Sequence, residues 1–182
     1  MNKIPIFKRL TNKFKIQNGN DVNIARNAKL SGCKIVVKGT NNLLLIEDNT
    51  ILRDVTLEII GNNCSIQIGQ NCMIGHNCYL SAKEENIHLI IKNNSGLSRN
   101  VKIMTSDGHP IYSNGIRINN PRSICIENHV WIADNVTILK GVNIYEGAVI
   151  GINSTVTKNV PSHAIAAGNP AKIIRENIAW DA

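Results

Sequence analysis

The residue in this chain best suited to moving a proton is His109, in the run TSDGHP. Histidine titrates near neutral pH and is the common general base. Gly108 gives the backbone freedom on the entry side, Pro110 stiffens the exit, and Asp107 supplies a carboxylate two residues away. An imidazole presented this way takes a proton from a hydroxyl; the alternative is a loop histidine without a task. The other four histidines offer less. His76 falls at a turn, His129 stands beside Trp131 and decorates a turn, and His88 and His163 lie in loops or turns without evident partners. The five cysteines, Cys33, Cys64, Cys72, Cys78 and Cys125, form no CxxC pair, so no structural zinc is expected. An odd count with no evident secretion signal implies reduced thiols and a cytoplasmic protein.

The elements that must position His109 are legible as a repeat. From Ile126 the chain reads IENHVW, IADNVT, ILKGVN, IYEGAV, IGINST, VTKNVP. Ile126, Ile132, Ile138, Ile144, Ile150 and Val156 hold the first place; Val130, Val136, Val142, Ala148, Ser154 and Val160 hold the fifth. Six-residue periodicity of this kind predicts a solenoid in which each block gives one short strand and a turn, and three blocks make a triangular coil. The aliphatic first residue points inward and the smaller fifth residue packs at the bend. Upstream the repeat continues with slips, through Ile24, Leu30, Ile46, Leu52, Ile68, Ile74, Ile91, Leu97 and Ile103. Cys72 and Cys78 fall on the fifth place, where they read as small core fillers. Roughly one residue in seven is Asn, a residue that tolerates left-handed backbone angles at turns. Aromatic residues make up only 4%, as a core of stacked Ile and Val requires.

Two stretches break the period. Residues 82–88 read as a short excursion, and residues 105–123, TSDGHPIYSNGIRINNPRS, as a long polar loop carrying His109. The predicted organisation is an all-β solenoid over 21–160, a basic N-terminal cap over 1–20, and a C-terminal turn with a short capping helix over 161–182. In that helix Ile173, Ile174 and Ile178 would share one side. The net charge of +7 is concentrated at the start, where Lys3, Lys8, Arg9, Lys13 and Lys15 have no acid beside them. That segment is either a solvated basic stretch or an arm that touches anionic lipid head groups or an anionic glycan. The near-neutral body, poor in aromatics, excludes a nucleic-acid-binding domain. No apolar run reaches the ~18 residues of a membrane span.

The run VWIADNVTILKGVNIYEGAVIGINSTVTKNVPSHAIAAGNPAKIIR resembles the closing segment of hexapeptide-repeat acyltransferases. That family includes maltose, galactoside and xenobiotic acetyltransferases and O-acetyltransferases of capsule, lipopolysaccharide and polysialic acid. TSDGHPI followed by RIN looks most like the polysaccharide-modifying branch. The resemblance implies a left-handed parallel β-helix, against the usual right-handed crossover. It also implies a homotrimer with active sites between subunits, acetyl-CoA as donor and a carbohydrate acceptor. His109 matches the family's general base, with direct attack of the acceptor hydroxyl on the thioester. Trp131 matches a tryptophan beside the cofactor arm and the substrate. Ala133 stands where the family's WIG motif has Gly. Asp134 matches a position where relatives carry a small polar cofactor contact, so an acid there is a departure. Ile152 falls where a backbone amide meets the pantetheine arm, Thr157 and Lys158 match a TK pair near the adenosine end, and Lys172 and Arg175 match basic residues toward the CoA phosphates.

Around His109 the alternatives stay open. Asp107 either orients the imidazole or caps the turn. Tyr112, Arg117 and Asn119 either line the acceptor site, with Arg117 on a sugar carboxylate such as that of sialic acid, or form a solvated loop. The function expected is acetyl-CoA-dependent O-acetylation of a surface polysaccharide or its precursor, with no metal. N-acetylation of an amino nucleotide sugar and a non-catalytic scaffold are the competing readings. A zinc carbonic anhydrase type would need three converging histidines, and the spacing offers no convincing set.

Overall fold

The computed structural model describes residues 4–181. The chain winds as a parallel β-solenoid of about seven turns. Each coil passes through a first, a second and a third sheet in that order, and the three sheets hold six, eight and seven strands. One coil runs Asp21–Ile24, Lys29–Ser31 and Lys34–Thr40; the next runs Leu43–Ile46, Ile51–Arg53 and Thr56–Asn62. Residues of like place pair coil on coil, so Leu52 lies on Ile74 and Leu97 on Ile132. All six first-place residues from Ile126 to Val156, and all six fifth-place residues from Val130 to Val160, are buried. Truncating one of the inward isoleucines, such as Ile132, costs about 2–5 kcal/mol, since packed neighbours cannot collapse into the space.

The corners follow from asparagine. Twelve of the sixteen non-glycine residues at positive φ are Asn. Asparagine side chains stack as ladders along these corners: Asn27 donates to Asn49, Asn49 to Asn71 and Asn71 to Asn94, at 2.9–3.2 Å. Asn100, Asn135 and Asn153 form a second ladder at the corner between the second and third sheets. An amide that both donates and accepts satisfies its neighbours above and below while its backbone makes the turn.

The upstream slips have a physical cause. Coil-to-coil contacts there are 22 residues apart, against 18 near the end. Third-sheet strands in this half are seven residues long, as in Lys34–Thr40, Thr56–Asn62 and Tyr79–Glu85. Residues 82–88 are thus no excursion: Tyr79–Glu85 and His88–Ile91 are in-register strands joined by a corner at Asn86. The long strands end in a column of Gly39, Gly61 and Glu84. A methyl group on Gly61 would fall 1.6 Å from the Glu84 carbonyl oxygen, and φ there is +142°. Only glycine fits such an approach.

Both ends differ from expectation. Lys13–Ile16 already pairs with Lys34–Val37, so the solenoid starts before residue 21. Lys8–Thr11 forms a helical turn that packs on the first coil. Lys8 is buried, its ammonium donating to the carbonyls of Ala28 and Arg26. It is therefore no part of a solvated basic arm. Arg9, Lys13 and Lys15 are exposed, as are Ile6, Phe7 and Leu10; Lys3 lies outside the described residues. At the other end the expected capping helix is a β-hairpin. Ile165–Gly168 adds to the second sheet and Ala171–Arg175 returns antiparallel beside it. Gly168, at φ +104°, turns the chain, and the β-branched pair Ile173 and Ile174 suits an edge strand that covers open backbone groups.

Cys33, Cys64, Cys72 and Cys78 are buried and Cys125 is half-buried. Burial pushes the Cys72 and Cys78 thiols up to about 11. In the native protein at pH 8 these four should resist a thiol reagent, Cys125 should react first, and denaturant should release all five. Prompt native reaction of Cys72 or Cys78 would contradict the packing.

Candidate active site

The long loop leaves the prism after the third-sheet strand Lys102–Met104 and returns at the first-sheet strand Ile124–Ile126. It therefore projects from the corner between those two sheets. Its tip is a hairpin, Tyr112–Ser113 against Ile116–Arg117. Asn114 and Gly115, both at positive φ, make the Asn-Gly turn that such a hairpin prefers. Asn119 is buried and organises the base of the loop. Its side chain accepts from the Ile111 amide at 2.6 Å and donates to the His109 carbonyl at 2.8 Å and to Asp107 at 2.9 Å. His109 itself is exposed, and among the described residues its imidazole has no hydrogen-bond partner.

Asp107 does not orient that ring. Its carboxylate is held by Lys140, on the next coil, and by Asn119. The Lys140 ammonium is the main reason its pKa lies below the usual carboxylate range. Arg117 is likewise committed. Its guanidinium makes a bidentate pair with Glu84, at 2.7 and 2.8 Å, and Ser106 donates to the same carboxylate at 2.6 Å. Glu84 stands in the column of Gly39 and Gly61 but at the last position, where the following coil departs into the loop. It keeps the glycine-like φ of 85°. This is a strained backbone position with a side chain put to use, and Glu84 and Lys140 are the residues that sequence reading missed here. Tyr112 is exposed on the hairpin beside exposed Ile111, Ile116 and Ile118.

Trp131 and Asp134 lie elsewhere, on the outer face of the second sheet and its corner with the third. They line a groove of about 720 Å³ with Arg53, His76, Ser98 and Trp180. Trp131 is 43% exposed and its indole N–H donates weakly to Ser98. The tail returns over this face. Trp180 stacks on His129 with ring centroids 4.1 Å apart, accepts from His129 Nε2 through its carbonyl, and stands 6.0 Å from Trp131. Among the described residues, the Trp180 indole nitrogen is buried without a partner. His76 Nδ1 is 2.6 Å from Asp54, so a carboxylate fixes this ring, and among the described residues Nε2 has no partner. Neither His76 nor His129 is merely a decorated turn.

Asp134 accepts from the backbone and guanidinium of Arg99, which hold its pKa down. Ile152 is exposed one coil further along the same corner, with Asn153 donating to the Asp134 carbonyl. Thr157 and Lys158 are exposed beyond the third-sheet strand Thr155–Val156, on the corner from which the His109 loop projects two turns earlier. Lys172 and Arg175 are exposed on the C-terminal hairpin. One chain thus brings together His109, Asp107, Asn119 and Arg117 at one corner, and Trp131 with Asp134 on the face opposite it.

No family model matches the chain. It is 38% identical over 161 residues to the polysialic acid O-acetyltransferase of Escherichia coli O1:K1 / APEC, covering 87% of this chain and 44% of that protein. It is 37% identical over 168 residues to the polysialic acid O-acetyltransferase of Neisseria meningitidis, covering 91% of this chain and 77% of that protein. The chain thus spans under half the length of the first relative. Among solved structures, the polySia-specific acetyltransferase NeuO superposes with a TM-score of 0.84 at 33% identity, covering 94% of this chain and 78% of that one. OatWY, a polysialic acid O-acetyltransferase, does so with 0.67 at 31%, covering 94% and 90%. The chain belongs to the left-handed β-helix, hexapeptide-repeat acyltransferases, in the branch that holds the polysialic acid O-acetyltransferases.

The Glu84–Arg117 pair sets how firmly the loop is held. Arg117 lowers the Glu84 pKa, so the pair contributes fully above the ordinary carboxylate pKa of about 4.3 and is lost as pH falls through the depressed value. Glu84→Gln should speed tryptic cleavage at Arg117 several-fold at neutral pH while barely moving the thermal midpoint. The same loosening should appear in the wild type only below about pH 4. Equal cleavage rates in variant and wild type would remove this role.

Proposed function

We propose that the protein transfers an acetyl group from acetyl-CoA to a hydroxyl of an acidic polysaccharide of the sialic acid type, or its precursor, with His109 as general base. The observation that carries this reading is His109 itself: an exposed imidazole without a protein partner, on a loop whose backbone Asn119 pins on both sides. A base kept free in this way can take a hydroxyl proton as the oxygen attacks, and the pinned loop limits the entropy lost on alignment. Acetyl-CoA would supply the activated thioester. The exposed cations Lys158, Lys172 and Arg175 suit its phosphates, and exposed Ile152 and Trp131 suit its pantetheine arm. Asp134, already taken by Arg99, does not fit a direct contact with an anionic donor. Thiols kept reduced in the core accord with a cytoplasmic setting.

The separation of His109 from Trp131 supports a site built from two copies. The loop leaves at one corner while Trp131 stands on the opposite face. The hairpin tip also exposes Ile111, Tyr112, Ile116 and Ile118, an apolar cluster suited to docking on a neighbouring prism in a homotrimer. At the N-terminus, exposed Ile6, Phe7 and Leu10 beside Arg9, Lys13 and Lys15 suit contact with an anionic membrane surface or glycan.

His109→Ala should lower turnover by roughly 10²–10⁴ and leave CoA affinity nearly intact, as read by thiol release and by CoA titration. Unchanged turnover would end the assignment of His109. If the two halves of the site come from different copies, co-assembling His109→Ala with Trp131→Ala chains should restore a fraction of the activity that neither variant shows alone. No recovery in verified mixed oligomers would place both residues in a single-chain site.

A further inference from the structure

The groove on the second sheet is opened by small outward residues, Gly75, Gly96, Ser98 and Ala133, set among larger ones. Met73, Gly96 and Trp131 stack in one column, and continuing the same register Arg53, Gly75, Ser98 and Ala133 stack in the next. Gly96 has open space where a side chain would begin. Between Arg53 at one end and Trp131 at the other, the half-exposed Met73 is the one bulky apolar side chain on the floor among the described residues, and Gly75, Gly96 and Ser98 leave the rest of it low. That distance is three strand spacings, roughly 14 Å, long enough for more than one sugar ring.

The charges along this floor are not equivalent. Arg99 is paired with Asp134, and Asp54 with His76. Arg53 is exposed and, among the described residues, has no ion-pair partner. Of the two carboxylates that line the groove, Asp134 is taken by Arg99 and Asp181 rides on the tail rather than the prism. The channel therefore offers a tilted aromatic pair, Trp131 and Trp180, at one end. It offers a fixed imidazole in the middle and an uncommitted guanidinium at the far end. Indole faces pack against the apolar side of a sugar ring, the free His76 nitrogen suits a hydroxyl, and a guanidinium matches a carboxylate in a two-pronged contact. Arg117, which the sequence offers as one candidate for a sugar carboxylate, is occupied by Glu84.

We propose that this groove is the acceptor channel and that Arg53 is its specificity determinant, gripping the carboxylate of a sugar unit about three coils away from the one that packs at Trp131. This rests on the reading that the acceptor is an acidic glycan. It adds that the protein reads the length of that glycan, because a single acidic sugar at Trp131 cannot also reach Arg53.

The test uses the full chain with sialic acid monomer, sialic acid oligomers of increasing length, and an uncharged oligosaccharide of matched length. Both tryptophans of the chain border the groove, so intrinsic fluorescence reads binding without any chemistry, and acetyl transfer is measured in parallel. Arg53→Ala should weaken oligomer binding and raise the oligomer KM about tenfold, with the effect on KM rather than kcat. Arg53→Glu should weaken binding further, Arg53→Lys should keep the charge but not the two-pronged contact and so retain only part of it, and monomer binding should change less than about twofold. Oligomers that bind Arg53→Ala as they bind wild type, or an uncharged oligosaccharide that binds as well as the acidic one, would overturn the inference. Transfer to oligomers that proceeds in Arg53→Ala as in the wild type would overturn it while leaving the proposed function intact. Arg53-dependent oligomer binding without any transfer would do the reverse.

Discussion

Everything in this molecule depends on one repeated requirement: each coil must return to the same three lines so that its backbone can pair with the coil below. Parallel pairing fixes the strand spacing, and inward Ile, Leu and Val then stack without gaps. The aliphatic ladders remove apolar surface from water at every step, and the asparagine ladders close the corners without leaving amide groups unpaired. A solenoid of this kind has no single hydrophobic centre. Its stability is close to a sum over neighbouring coils, which is why its ends need covers: a helical turn plugged by Lys8 at one end and a β-hairpin at the other.

Much of this was legible because the period is a direct imprint of the geometry. First-place isoleucines and fifth-place small residues are buried as the hexads require. What blurred the upstream half was strand length. Four extra residues per coil in the third sheet look like slips in a six-residue count, and Tyr79–Glu85 then passes for an excursion. The C-terminal segment misled for another reason. Ile173 and Ile174 fit one side of a helix, but an open sheet edge nearby offers backbone hydrogen bonds that a local helical pattern cannot anticipate.

The candidate site was legible in its candidate base and not in the side chains around it. His109 and Trp131 announce themselves by residue type and surroundings. Their partners come from other coils: Lys140 on Asp107, Glu84 on Arg117, Asp54 on His76 and Trp180 on His129. Each pair joins residues at least 22 positions apart. Such contacts follow from which residues the coil count places side by side, so they become readable only after the coil lengths are known. Charge in this protein is organised along the prism axis rather than along the chain.

The loop that carries His109 has a bearing on how the chain folds. Coil-to-coil contacts below it link residues 22 apart, and across it 35 apart. Closing a loop costs about (3/2)RT ln n, so the longer step adds only about 0.4 kcal/mol of chain entropy. Folding can zip from coil to coil and pass this junction almost unhindered. A loop can thus be lengthened, shortened or exchanged at this corner while the stack beneath is barely disturbed. A prism of this design can vary what it presents at this corner while the ladders that hold it together stay as they are.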